Sequence, residues 1–232
     1  MKALVLFSGG IDSTTALGLA IQKYGKDQVI ALSVSYGQKH DKEIKAAIAV
    51  AQYYGVEHLF LDLRKIFQYS NCSLLQQSTE DIPEESYAEQ ISKTNGDKPV
   101  STYVPFRNGL FLSSAASIAL SKDCEVIYYG AHADDSAGFA YPDCSPVFNQ
   151  AMNEAIWEGS GHQLKIEAPF VNVSKAEVVR IGLELGVPYE LTWSCYEGGE
   201  KPCGKCGTCI DRAAAFQANH VEDPALRWRR KQ

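Results

Sequence analysis

The chain alternates short, purely apolar runs with longer amphipathic stretches. Residues 3–7 read Ala, Leu, Val, Leu and Phe without a break and close on Ser8-Gly9-Gly10. A run with no polar alternation predicts a strand covered on both faces, as in a parallel sheet. Leu17, Ala20 and Ile21 then recur at helical spacing and predict a helix over 13–24. A second apolar run predicts a strand over 29–34. After it, Ile44, Ala47, Ile48 and Ala51 stripe one side of a helix over 41–54, which Gly55 closes. A third strand is expected over 57–61. Residues 63–99 are polar and irregular, and read as a partly helical insertion covering a site. The alternation then resumes with a helix over 107–120 and a strand over 126–130. A loop over 133–142 leads to a helix over 146–157, a strand over 164–168 and a helix over 175–185 closed by Gly186. A short helix over 212–218 ends the series. Strands alternating with helices predict an α/β fold with a doubly wound, mostly parallel sheet. We divide the chain into one α/β domain over 1–190 and a small cysteine-bearing segment over 191–232.

The joint between the first strand and first helix carries Ser8-Gly9-Gly10-Ile11-Asp12-Ser13-Thr14. Glycines let the backbone approach a ligand, and the helix start offers free N–H groups and partial positive charge, so the joint predicts a pyrophosphate cradle. Ser8, Ser13 and Thr14 add hydroxyl donors. Asp12 repels phosphate and is expected either to cap the helix or to help hold Mg²⁺. The pattern lacks the Gly-Lys-Ser/Thr ending of a Walker loop and the third glycine of a dinucleotide fingerprint.

Of seven cysteines, four crowd into Cys195-x7-Cys203-x2-Cys206-x2-Cys209, interleaved with Gly198, Gly199, Gly204 and Gly207. Four thiolates at ~2.3 Å make a closed tetrahedral Zn²⁺ site with no open position, hence a structural one. The same spacing also fits an iron–sulfur cluster. Clustered cysteines in an odd total read as metal binding in a reducing compartment, with Cys72 and Cys124 as ordinary thiols.

Other polar clusters follow, two of them at predicted strand ends, where a doubly wound sheet forms its crevice. They are Tyr36-Gly37-Gln38-Lys39-His40, the Arg107-Asn108 helix start, His132 with Asp134 and Asp135, and Tyr141-Pro142-Asp143-Cys144. Arg107 and Lys175 both begin helices, where a cation needs an anionic partner. The acids are expected to hold Mg²⁺ or to read the donor edge of a purine-like substrate.

The net charge is −6, from 22 Lys and Arg against 28 Asp and Glu, which argues against a dedicated nucleic-acid binder. Arg227, Arg229, Arg230 and Lys231 form the only basic cluster and read as a solvated tail. The opening apolar run is too short for a signal segment or a membrane span, and places the protein in the cytoplasm with no membrane role.

Ser8-Gly9-Gly10-Ile11-Asp12-Ser13 resembles the loop of the PP-loop ATP pyrophosphatases, which split ATP between the α- and β-phosphates. Taken with Tyr36-Gly37-Gln38-Lys39-His40, Val104-Pro105-Phe106-Arg107-Asn108, Tyr141-Pro142-Asp143-Cys144, Ser174-Lys175-Ala176-Glu177, Thr192-Trp193-Ser194-Cys195-Tyr196 and the Cys203–Cys209 run, the whole chain resembles the 7-cyano-7-deazaguanine synthase family. The resemblance implies an adenine nucleotide α-hydrolase-like fold and an ATP-dependent carbon–nitrogen ligase that converts 7-carboxy-7-deazaguanine and ammonia to the nitrile in queuosine biosynthesis. It implies ATP with Mg²⁺ at Phe7, Ser8, Gly9, Gly10, Ile11, Asp12, Ser13, Thr14, Thr15, Ala16 and Leu17. It places catalytic roles at Asp12, Ser13, Lys39, His40, Arg107 and Lys175, and substrate contacts at Tyr36, Arg107, Asn108, Asp134, Asp135, Tyr141 and Asp143. Structural Zn²⁺ at Cys195, Cys203, Cys206 and Cys209 and a homodimer complete the expectation. Two other readings stay open: a PP-loop tRNA-modifying enzyme (sulfur transfer, with Cys144 as its candidate thiol, or lysidine-type ligation), and a cysteine ribbon docking nucleic acid or protein.

Overall fold

The computed structural model describes residues 1–94 and 98–225. The basic run from Arg227 to Lys231 lies outside them. Five parallel strands form one sheet in the order β3-β2-β1-β4-β5: β1 Ala3–Leu6, β2 Val29–Ser35, β3 Glu57–Asp62, β4 Val126–Tyr128 and β5 Lys165–Glu167. The central strand β1 pairs Ala3 with Val29 on one side and with Val126 on the other. The chain therefore winds outward from β1 in one direction and returns to its other side through β4. Such a switch point opens a crevice at the carboxyl ends of the strands.

Side-chain alternation explains why the strands read as unbroken apolar runs. Ala3, Val5, Ala31 and Tyr128 face a layer that also contains Leu17 and Ala20 of α1 (Ile11–Tyr24), Ala47 and Val50 of α2 (Lys42–Tyr54), Val178 of α8 (Lys175–Glu184) and Phe216 of α9 (Gly207–Ala218). Leu4, Ile30, Leu32 and Ile127 face the other way, onto Leu112 and Ala115 of α5 (Arg107–Ser121) and Ile156 of α7 (Pro146–Gly159). Each buried Leu, Ile or Val among them contributes roughly 1.5–3 kcal/mol, so both faces must be apolar. The edge strand β3 is the exception, with Phe60 56% exposed.

Among the described residues, the insertion holds two helices, α3 (Arg64–Phe67) and α4 (Tyr87–Thr94). Tyr87, Ala88 and Ile91 of α4 reach the crevice, so the insertion does cover a site. The expected loop over 133–142 instead contains α6 (Ala133–Ser136) and a short 3₁₀ turn, and a second such turn follows over Pro142–Cys144. Asp134 and Asp135 stand in the first turn of α6, where acids favour a helix start. The last helix begins at Gly207 rather than at 212, because Cys209 and Ile210 already donate their N–H groups to the Cys206 carbonyl. Among the described residues, no helix is long and apolar enough to cross a membrane.

Candidate active site

A cavity of about 680 Å³ opens at the carboxyl ends of β1, β2 and β4. Phe7, Ser8, Gly10, Asp12 and Ser13 line one end of it. Ser8 Oγ and Ser13 Oγ lie 3.1 Å apart, and the Gly10 N–H donates to Ser8 Oγ at 3.3 Å. Hydroxyls and helix-start N–H groups thus converge where an anion would sit. Gly9 faces away. Its φ is +82°, and a Cβ there would stand 2.5 Å from the Ala47 nitrogen and 2.7 Å from the Glu43 carbonyl oxygen. The glycine is required by the close packing of α2. Ile11, Thr14, Thr15, Ala16 and Leu17 are also buried away from the cavity. Thr14 Oγ1 donates to the Gly10 carbonyl at 2.6 Å, and Thr15 Oγ1 meets the Tyr189 hydroxyl at 2.7 Å. These residues build the helix under the loop.

Asp12 makes no cap. Its carboxylate accepts a short hydrogen bond from Lys175 Nζ, the anionic partner that a cation at a helix start demands. The Lys175 backbone N–H donates to Asp134 Oδ2 at 2.8 Å, while Lys175 Nζ lies 3.4 Å from His132 Nε2 and that nitrogen lies 3.3 Å from Asp135 Oδ1. Burial opposes the charge on Asp12, but Lys175 and His132 outweigh it and hold the carboxyl below its ordinary value. Asp12 Oδ1 and His132 Nδ1 are buried with no hydrogen-bond partner among the described residues. An ionised carboxylate with one free oxygen beside Asp134 and Asp135 fits a hard cation such as Mg²⁺. Asp211 of α9 joins this wall, its carboxyl pushed up to about 6 chiefly by burial, with Asp135 and Asp134 adding to the rise and Lys175 opposing it.

The opposite wall is aromatic and carries one cation. The Arg107 guanidinium stacks 5.2 Å from the centre of the Tyr36 ring, and its Nη1 donates to the Tyr36 hydroxyl at 3.4 Å. Tyr141 lines the cavity with its hydroxyl 2.5 Å from Thr102 Oγ1; burial pushes that phenol up to about 12. Tyr87 and Tyr196 join hydroxyls at 2.6 Å across the same wall. Asn108 donates its side-chain amide to Cys144 Sγ at 3.1 Å. Burial, with Asp135 and Asp143 nearby, pushes the Cys144 thiol well up, so it stays protonated and inert.

Three further expected site residues stand elsewhere. Asp143 lies behind the wall, 3% exposed, and accepts the Asn108 backbone N–H at 2.8 Å, because the start of α5 leaves N–H groups that need an acceptor. Lys39 points outward and donates to the Glu80 carbonyl at 3.1 Å. His40 accepts the Lys42 N–H on Nδ1 at 3.2 Å, which leaves Nε2–H to donate to the Cys195 carbonyl at 3.0 Å. Burial lowers its pKa, and it clamps the cysteine segment as a neutral ring. Glu43, which no motif of the sequence marks, does line the cavity. Burial pushes its carboxyl up to about 7 against the pull of Arg107.

The four cysteines converge outside this cavity, with their sulfurs all within 4.8 Å of one another. Thiolates around one tetrahedral zinc stand about 3.8 Å apart, and Cys203 Sγ and Cys209 Sγ are 4.0 Å apart. Backbone N–H groups of Cys203 and Cys206 point at Cys195 Sγ and Cys203 Sγ, at 3.2 and 3.3 Å, which favours thiolates there. The donor set fits a metal ion.

A 3-2-1-4-5 parallel sheet with a Ser-Gly-Gly-Ile-Asp-Ser joint at its switch point defines an enzyme fold of the PP-loop class. Solved structures that share the fold include two enzymes. One is the U34-tRNA thiolase NcsA from Methanococcus maripaludis with its [4Fe-4S] cluster, 17% identical at a TM-score of 0.51 over 99% of this chain and 70% of that one. The other is an NMN synthetase from Francisella tularensis, 14% identical at 0.50 over 95% and 78%. Within that class, the chain belongs to the queuosine biosynthesis protein QueC family, whose model matches residues 2–220. Its relatives include the 7-cyano-7-deazaguanine synthases of Archaeoglobus fulgidus, 43% identical over 97% of this chain and 90% of that protein, and of Pseudoalteromonas atlantica, 42% identical over 96% and 97%. That of Caldicellulosiruptor saccharolyticus is 41% identical over 97% and 94%.

Proposed function

We propose that this chain converts 7-carboxy-7-deazaguanine and ammonia to 7-cyano-7-deazaguanine at the expense of ATP. One observation carries the reading: a single cavity joins an anion-binding loop at one end to a cation in an aromatic wall at the other. The loop suits a polyphosphate, and Arg107 beside Tyr36 suits a flat heteroaromatic acid.

The chemistry follows from the two ends. A carboxylate is a poor electrophile because it is already anionic, and ATP supplies the adenylyl group that makes its oxygen a leaving group. Ser8, Ser13 and the start of α1 orient the phosphates. Asp12, with Asp134 and Asp135 at hand, would hold Mg²⁺, which supplies countercharge to the phosphates. Lys175, kept in place by Asp12, presents its ammonium to the charge that grows on the departing pyrophosphate. Arg107 holds the acid, and the tyrosine wall excludes water that would hydrolyse the activated group. Ammonia then forms the amide, and activation of the amide oxygen in the same cradle lets it leave as the nitrile forms.

The cysteine quartet belongs to this reading as a structural zinc site that fixes segment 191–232 against the ATP-binding domain over 1–190. A homodimer in the cytoplasm completes it, on the strength of the family likeness. The reading is tested by incubating purified protein with 7-carboxy-7-deazaguanine, ammonium and Mg-ATP and following products by mass. Nitrile in the complete mixture and none without ATP supports it. AMP released only with tRNA or with a different acid contradicts it.

A further inference from the structure

Among the acids of the cavity wall, Glu43 is unusual in its surroundings. Asp12 accepts from Lys175, Asp134 from the Lys175 backbone, and Asp135 faces His132. Asp211 belongs to that same group, at the phosphate-loop end. Glu43 stands apart, in the first turn of α2, and its carboxyl shows no hydrogen bond or ion pair with another described residue. It lines the cavity with Tyr36 and Arg107, and these are the two titratable groups that face it, from the end of β2 and from α5. Its position is fixed from behind: its carbonyl lies against Gly9, so the phosphate loop and the Glu43 backbone are in contact. A carboxyl without a partner thus lines the same cavity as the arginine that would hold the acid, on a helix whose backbone packs against the loop that would activate it.

We propose that Glu43 is the proton acceptor for the attacking nitrogen. The inference rests on the function proposed above and deepens it. As the ammonia nitrogen bonds to the activated carboxyl carbon, one N–H proton passes to the Glu43 carboxylate, the carbon–oxygen bond to AMP breaks, and the amide remains. A second ATP adenylates the amide oxygen, and as that oxygen leaves in AMP and the triple bond forms, the nitrogen sheds its other two protons; Glu43, having passed each earlier proton to water, takes them one at a time. A burial-raised carboxyl suits this work, because a base whose pKa lies near the working pH is ionised often enough to act and basic enough to accept.

The test separates activation from amination. Pyrophosphate–ATP exchange driven by 7-carboxy-7-deazaguanine needs no nitrogen nucleophile, whereas nitrile formation does. For Glu43→Gln, which keeps the side chain's shape, exchange is expected to persist within about twofold. Nitrile formation at pH 7 is expected to fall on the order of 100-fold, the usual worth of a positioned base. The deficit should narrow toward pH 9, as hydroxide takes the proton that Glu43 otherwise accepts. Nitrile formation at the unsubstituted rate overturns the inference. So does a loss of exchange in step with nitrile, which marks a residue of folding or of acid binding, and so does a deficit that does not change with pH. Exchange by the unsubstituted protein reports separately on the function itself: its absence with this acid removes the substrate reading, and the inference falls with it.

Discussion

The pairing of Asp12 with Lys175 joins residues 163 positions apart and sets the charge at the phosphate end of the cavity. Removing the cation leaves a carboxylate that burial already disfavours. Lys175→Met is therefore expected to destabilise the fold by about 1–3 kcal/mol, seen in a urea melt, and to lower turnover at least on the order of 100-fold. Glu43 gives a pH signature in the opposite sense. Its carboxyl titrates at about 7 in the folded chain, against about 4.3 when unfolded. Between those values the folded chain holds the proton that the unfolded chain has released, so this group's contribution to stability falls as pH rises from about 4 to about 7 and is flat beyond. Glu43→Gln removes that loss, and its melting temperature should exceed that of the unsubstituted protein at pH 8 and match it near pH 4. Lys175 was legible in the sequence as a cation at a helix start in need of an anion. Glu43 was not, because an acid in the first turn of an amphipathic helix needs no special explanation.

At the scale of elements, α9 shows how the chain's end is tied to its centre. Arg212 donates to both carboxylate oxygens of Asp223, at 2.7 and 2.9 Å, to Thr192 Oγ1 at 2.9 Å and to the Tyr189 carbonyl at 3.2 Å. The Arg212 and Asp223 side chains are 7% and 5% exposed. Breaking such a pair strands a buried charge, so Arg212→Met should cost about 3–5 kcal/mol in chemical denaturation, and loosening α9 should displace Asp211 from the cavity wall. The strands were legible because a sheet covered on both faces leaves β1, β2 and β4 no polar alternation. The α6 turn and the early start of α9 were not. A four-residue helix carries too few residues for a period, and α6 is set by tertiary contacts such as the Ala133 N–H on the Val173 carbonyl, while the start of α9 is set by the Cys206 carbonyl inside the cysteine run. Asp143 misled for a related reason: only the fold reveals that the start of α5 claims its carboxylate.

At the scale of the whole molecule, the two strongest sequence motifs end on opposite sides of one connection. The Trp193 N–H donates to the Gly9 carbonyl at 3.0 Å, which joins the segment entering the cysteine quartet to the phosphate loop. Metal analysis should find one zinc per chain. Stripping it with a chelator should cost the C-terminal segment its order and ATP binding its strength, because both lean on that contact. Spacing alone made the quartet legible. It could not place His40 behind it, since a histidine in a motif reads the same whether it faces a ligand or a carbonyl.

The most direct measurement concerns the oxygen that leaves. With 7-carboxy-7-deazaguanine labelled with ¹⁸O in its carboxylate, ammonium and Mg-ATP, activation at the loop predicts labelled AMP and unlabelled pyrophosphate. Label in inorganic phosphate, with ADP as the nucleotide product, would contradict it.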